Sequence, residues 1–156
     1  MSYTNSDGLL VLTNGAQGDV NLTGGAEYGV KYLVINIADA TTIGSSAAAP
    51  AANDSFIPAG AYITRASLIV SAAFAGATAA LNIGLQTAAG VAIAAQGIDA
   101  AIAVTAIDAI GDVVACNGAA VGGIVSVGTA PAYVSLDYDT AAFTAGTAKL
   151  VIEYIG

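Results

Sequence analysis

The stretch "IPAGAYITRASLIVSAAFAGATAALNIGLQ", residues 57–86, carries a single charge, Arg65, and the next charged side chain is Asp99. A segment this apolar is either a membrane span or the buried part of a sheet, and the two lead to different folds. Its composition opposes a spanning helix. In the uncharged window 66–84 only Leu68, Ile69, Val70, Phe74, Leu81 and Ile83 are strongly apolar. The rest are Ala, Gly, Ser, Thr and Asn, which add little to insertion. No Trp flanks the window, and no Lys/Arg asymmetry would orient it. The alternation decides the matter. Leu68, Val70, Ala72 and Phe74 share one parity, and Arg65, Ser67 and Ser71 the other, with Ile69 the exception. Leu81, Ile83 and Leu85 then alternate with Asn82, Gly84 and Gln86. A period of two marks a half-buried strand. "AFAGATA" between the runs contains Gly76 and reads as a hairpin connection.

The same period recurs along the chain. Leu33, Ile35 and Ile37 alternate with Tyr32, Asn36 and Ala38; Val134, Leu136 and Tyr138 with Ser135 and Asp137; Leu150, Ile152 and Tyr154 with Lys149 and Glu153. "ATTIGSSAAAPAANDS" reads as a low-complexity loop with Pro50, and Pro58-Ala-Gly60 as a turn. "VVACNGAAVGGIVSVG" reads as short strands around Asn117-Gly118. Residues 87–112 admit two readings. Asp99 caps a short helix over 100–110 that ends at Gly111, with Ile102, Ala106 and Ile110 on one face and Ile107 beside it; or the segment is strand, turn and strand. The helix is the expectation taken. Counted together, about eight short strands indicate an all-β fold, a two-sheet sandwich or jelly roll, with at most one short helix near 99–110. Residues 1–30 are polar and punctuated by turn signals at Asn14-Gly15 and Gly24-Gly25. They form an N-terminal arm or loose hairpin that contacts a partner, leaving 31–156 as the sandwich domain.

The surface this sandwich can present is unusual. Only 9% of the 156 residues are charged, against 56% hydrophobic, and a monomer needs a charged coat free of large apolar patches. Much of the surface is therefore expected to meet other protein. The net charge is −8, and the basic residues are Lys31, Arg65 and Lys149. Phosphate neutralisation needs several Lys or Arg, and an anionic membrane repels an acidic chain, so neither nucleic acid nor membrane is an expected partner. "MSYTNSDGLLVLTNG" has no basic start and no apolar run of signal-peptide length, so synthesis in the cytoplasm is expected.

Chemistry is equally sparse. The chain has no histidine, which removes His-assisted Ser, Cys or Asp catalysis and His-containing zinc sites. Cys116 is the single cysteine; no neighbouring cation lowers its pKa, and it is expected as a small buried side chain. Asp137 and Asp139 form a D-x-D pair that two-carboxylate chemistry or calcium would use, yet no third acidic ligand is near in sequence. They read as solvated charge. Asp108 and Asp112 read as turn residues. Arg65 stands on the parity opposite the core, either solvated or reaching a carboxylate of another subunit. No phosphate loop or dinucleotide fingerprint occurs. No catalytic, cofactor-binding or metal residue is assigned, no cofactor is expected, and the chain is not read as an enzyme.

"FIPAGAYITRASLIVSAAF", "GIDAAIAVTAIDAIGDVV" and the terminal "GTAKLVIEYIG" resemble the capsid decoration, or cement, proteins of tailed bacteriophages of marine and freshwater bacteria. The resemblance covers roughly residues 55–156; residues 1–54 lie outside it. It implies a jelly-roll sandwich, a homotrimer, and a place on the outside of the virion, clamped on the lattice of the major capsid protein. It brings no catalytic residues. Two other functions compete. One is a carbohydrate- or receptor-binding jelly roll of a head fibre or tail, which exposed loop aromatics would favour and sugar-array binding would reveal. The other is a glycosidase using Asp137 or Asp139, which loss of a measured activity in Asp137→Asn would support.

Overall fold

The computed structural model describes residues 2–4, 10–12, 29–122 and 127–156. Eight of the strands are Val30–Ile37 (β3), Phe56–Ile57 (β4), Tyr62–Ala75 (β5), Ala80–Gln86 (β6), Ala92–Ala103 (β7), Val113–Ala115 (β8), Ala132–Asp139 (β9) and Ala145–Ile155 (β10). Ser2–Thr4 (β1) and Leu10–Leu12 (β2) pair antiparallel as a two-stranded ribbon. The turns expected at Asn14-Gly15 and Gly24-Gly25 lie outside the described residues.

The eight strands form two four-stranded antiparallel sheets, ordered β3-β10-β5-β8 and β4-β9-β6-β7. Each of the strands β3 to β6, before the Thr87–Val91 turn, pairs with one after it: β6 with β7, β5 with β8, β4 with β9, β3 with β10. The chain is thus one long double ribbon, folded back at that turn and rolled up, so that β10 also pairs β5 and β9 also pairs β6. This is a jelly roll, one of the two forms the strand count indicates and the one the resemblance implies. Rolling closes the ribbon on its own apolar side. Ile63, Leu68, Leu81, Ile83, Ile98, Ile107, Leu150 and Ile152 are wholly buried there, each worth about 1.5–3 kcal/mol relative to exposure. Phe74 and Phe143 meet edge to face, ring centroids 5.3 Å apart. Among the described residues no helix is long and apolar enough to cross a membrane; the stretch 57–86 is sheet.

Three local readings differ from this structure. Residues 76–79 are not a hairpin turn: β5 and β6 lie in different sheets, and the connection is a tight corner between them. Gly76 fits there because a Cβ would lie 3.0 Å from the Ala142 carbonyl. Alternation reports which face of a strand is buried, not which strand it pairs with, so it could not separate a hairpin from a corner.

The short helix near 99–110 shrinks to the 3-10 turn Val104–Ala106. Asp99 caps no helix. It lies within β7, where its Oδ1 accepts from the Ala100 N–H. Ile107 is in the core, whereas Ile110 is 76% exposed, so no helical face joins Ile102, Ala106 and Ile110. Pairing of β7 along β6 outweighs a weak local helix signal.

Strand β6 is not half-buried. Asn82, Gly84 and Gln86, the polar parity, are as enclosed as the apolar one. Opposite β6, Ile83 faces Asp99 while Leu85 faces Ala94, so five steps along β7 answer two along β6. The surplus residues arch over the outer side of β6, and the Ala95 carbonyl comes to rest over Gly84. The arch is held from behind as well: Gly118 N–H donates to the Ile98 carbonyl and Ala120 N–H to that of Gly97, both at 2.8 Å.

Candidate functional site

The residues weighed for chemistry do not converge. Asp137 is half-buried, and its Oδ1 accepts from Asn82 Nδ2 at 2.7 Å; Asp139 is exposed at the end of β9, opposite Ala80. Asp112 closes its own turn, its Oδ2 accepting from the Ala109 N–H at 2.9 Å, and Asp108 is exposed. Among the described residues no three His, Cys, Asp or Glu side chains gather where a metal ion could sit. Asp39 caps the 3-10 turn Ala40–Thr42; the Thr41 hydroxyl, and then its N–H, hold that carboxyl below its ordinary range.

Asn82, itself buried, is the hub of a polar group for which the sequence gives no local signal. Its Oδ1 accepts from Gln96 Nε2 and from the Ala101 N–H, at 3.2 and 2.9 Å, and its Nδ2 serves Asp137. Ala101 sits at φ 51°, a left-handed conformation that costs a non-glycine residue about 1 kcal/mol. Asn82 therefore fixes the arch of β7 at both of its ends. The group is structural: every polar atom named here has a partner inside the fold.

Cys116 is buried, as expected, beside Asp99. Burial first, then the Asp99 carboxylate, push its thiol from 9.0 up to about 12. The thiolate is the reactive species, so native Cys116 is expected to resist iodoacetamide at pH 8 and to be labelled once the protein unfolds in urea; intact mass before and after denaturant reads this directly. The linked stability has a definite sign. The unfolded thiol ionises near 9.0 while the folded one stays protonated to about 12. The contribution of this group is whole below pH 9.0 and is lost as pH rises through that window.

The feature with the reach of an interface is the outer face of the β3-β10-β5-β8 sheet. Cross-strand register aligns its side chains in rows. Val30, Ile155 and Tyr62 form one row, Tyr32, Glu153 and Arg65 the next, then Val34, Val151 and Ser67, then Asn36, Lys149, Ile69 and Val113. Tyr32 is 63% exposed, Val113 61% and Val34 49%. Both Arg65 and Lys149 stand on this face against the single carboxylate of Glu153, which takes a hydrogen bond from the Thr64 hydroxyl at 2.7 Å. An otherwise acidic protein thus presents one apolar, weakly cationic sheet face. Arg65 falls on it as its parity in the sequence indicated.

No protein-family model matches this sequence, and no curated protein matches it significantly. Among solved structures, a chain from the capsid of Ralstonia phage GP4 superposes with a TM-score of 0.51 at 21% identity, over 81% of this chain and 84% of that one. A chain from the cyanophage Pam1 capsid asymmetric unit gives 0.49 at 18% identity, over 92% and 96%. The jelly roll described above is therefore a fold shared with a chain of the GP4 capsid.

Proposed function

We propose that this chain is a structural, non-enzymatic component of a phage virion, a decoration protein that binds the outside of the major capsid protein lattice as a homotrimer and stabilises the head. The observation that carries the reading is the apolar, weakly cationic outer face of the β3-β10-β5-β8 sheet. Contiguous exposed apolar patches of this kind mark interaction surfaces. The fold shared with a chain of the Ralstonia phage GP4 capsid supports a virion role, as does the low content of charge. The trimer and the exterior position rest on the sequence resemblance to cement proteins. The 1–30 segment, polar and rich in glycine, supplies a second contact with the shell.

A shell repeats each seam many times, so a modest gain per copy raises the barrier to bursting. Stabilisation of the expanded shell requires tighter binding to that state than to the unexpanded one. The test adds purified protein to expanded shells lacking it. Co-sedimentation in fixed stoichiometry and release of contents at a higher temperature are expected. Equal release temperatures for bare and decorated shells would refute the clamp. Deletion of residues 1–30 is expected to weaken shell binding and leave the β signature in circular dichroism unchanged; undiminished binding removes the arm from the account.

A further inference from the structure

The two four-stranded sheets have four edges, and three of them are blunted. Strand β8 is three residues long and β4 two. Strand β7 is long, but three register shifts and its arch break the line. Strand β3 is different. It pairs with β10 over all eight of its residues without a register shift, and it holds no proline and, in Lys31, a single charge. A regular edge of this kind is a template for a further strand. Register fixes which of its groups are open. Cys116 N–H donates to the Ala66 carbonyl and Val70 N–H to that of Asp112, so these positions of β5 turn toward β8. Backbone groups alternate sides along an antiparallel strand. Ser67 and Ile69 therefore turn to β10, opposite Val151 and Lys149. Leu150 and Ile152 turn to β3, opposite Ile35 and Leu33. Val30, Tyr32, Val34 and Asn36 are left with N–H and C=O directed out of the sheet, and among the described residues no strand lies there to meet them.

The neighbours of this edge set what fits it. The sheet holds all three basic residues of the chain, Lys31, Arg65 and Lys149, against one acid, Glu153. Two of the cations flank the edge. Lys31 is on β3 itself and spends one donor on the Gly156 carbonyl at 3.1 Å; Lys149 lies one strand in, opposite Asn36. Between them stand Tyr32 and Val34, both exposed. A second copy would bring a second sheet with the same excess of positive charge to the seam, which is unfavourable. A strand with an apolar middle and a carboxylate near each cation meets apolar and opposite-charge neighbours along its whole length. We propose that the outer edge of β3 takes up an extended segment of the shell protein as an added strand, apolar in its middle and acidic at the positions opposite Lys31 and Asn36. Main-chain hydrogen bonds to Val30, Tyr32, Val34 and Asn36 hold the segment, and its side chains select it. The shell as its source rests on the docking function proposed above; the open edge and its chemistry do not.

Hydrogen exchange is measured on the full-length protein, free and bound to expanded shells, and read amide by amide by fragmentation mass spectrometry of quenched samples. In the free protein Leu33 and Ile35, bonded to β10, are expected to exchange slowly, and Tyr32 and Val34 fast. On shells Tyr32 and Val34 are expected to slow by at least about 10-fold. Shell-bound protein in which they stay fast overturns the added strand and leaves docking by the sheet face standing. Val34→Pro removes an edge N–H and no bond to β10, a change that edge strands accommodate, whereas Val34→Thr keeps the N–H. The proline variant is expected to bind shells about 10-fold more weakly than the threonine variant; equal binding overturns the proposal. Should Val34→Pro fail to fold, the exchange pattern decides alone. Capped peptides read the edge without a shell, so failure of shells to bind refutes the docking function by itself. The peptide TETVTVET is expected to slow exchange at Tyr32 and Val34 and, at low salt, to bind about 10-fold more tightly than TKTVTVKT, the effect of two cross-strand charge pairs. Equal binding of the two overturns the acidic chemistry. Binding by neither, where shells also leave those amides fast or do not bind, overturns the proposal. So does slowing that grows with protein concentration alone, which gives the edge to a second copy, or slow exchange in dilute free protein, which gives it to another part of this chain.

Discussion

Gly84→Ala is expected to destabilise the protein by at least about 3 kcal/mol, a fall of about 10 °C in Tm for a chain of this size. The cause is steric and has no easy relief. A Cβ at residue 84 would overlap the Ala95 carbonyl oxygen and lie 2.5 Å from the Ala95 carbonyl carbon and 2.7 Å from the Ala94 oxygen. All three are backbone atoms, so no rotamer change clears the space. The arch of β7 must lift, and lifting it pulls Gln96 and Ala101 away from Asn82. Hydrogen bonds at one buried amide would then be lost together. Gly29→Ala is the control, because among the described residues nothing lies within 4 Å of its Cβ position; that change is expected within about 0.5 kcal/mol of the parent. Thermal unfolding of the two variants side by side checks the claim. Equal melting temperatures would mean that the arch moves freely and that Gly84 is not its seat.

This arch also shows where sequence reading stops. The strands with clean alternation, β3, β5, β6, β9 and β10, were legible because each sets one apolar row against the core, and that row is written at every second residue. A two-sheet sandwich or jelly roll followed from their number and spacing. Strand β7 was not legible. Its sequence, "AIAAQGIDAAIA", has no clean period, because the arch breaks the pleat and the backbone over Gly84 buries residues of both parities. For the same reason Asn82 reads as solvent-facing when it is buried, and Gln86 does so because its amide is held by the Ala48 carbonyl of the loop before β4. A covering segment some ten residues further along leaves no mark on the strand that it covers. Asp99 read as a cap because Asp before an apolar run is a good local signal, and tertiary pairing overrode it. Arg65 and Cys116 were placed correctly, since parity and the absence of a neighbouring cation are local facts.

The double substitution Tyr32→Glu/Val34→Glu is expected to weaken binding to expanded shells by at least about 100-fold while leaving the fold intact. Both side chains lie on edge strand β3 and are 63% and 49% exposed. Exposed positions of this kind tolerate charge at about 0.5 kcal/mol or less each. Docking is another matter. Tyr32 is in register with Glu153, and Val34 with Val151, so the new carboxylates stand at the β3 end of two successive rows of the face, one of them beside an existing carboxylate. They reverse the local excess of Arg65 and Lys149, and an apolar seam would bury them without partners, at a cost of several kcal/mol. Two controls separate docking from a general effect of added negative charge. Val91 and Ile93 are 62% and 38% exposed but sit where the Thr87–Val91 turn enters β7, in the other sheet; Val91→Glu and Ile93→Glu add negative charge elsewhere and are expected to bind as the parent does. Co-sedimentation across a concentration series gives the affinities, and circular dichroism with Tm verifies the fold. If the β3 variant binds like the parent, the β3-β10-β5-β8 face is not the docking surface. If the turn variants lose binding equally, overall charge, and not this face, governs attachment to the shell.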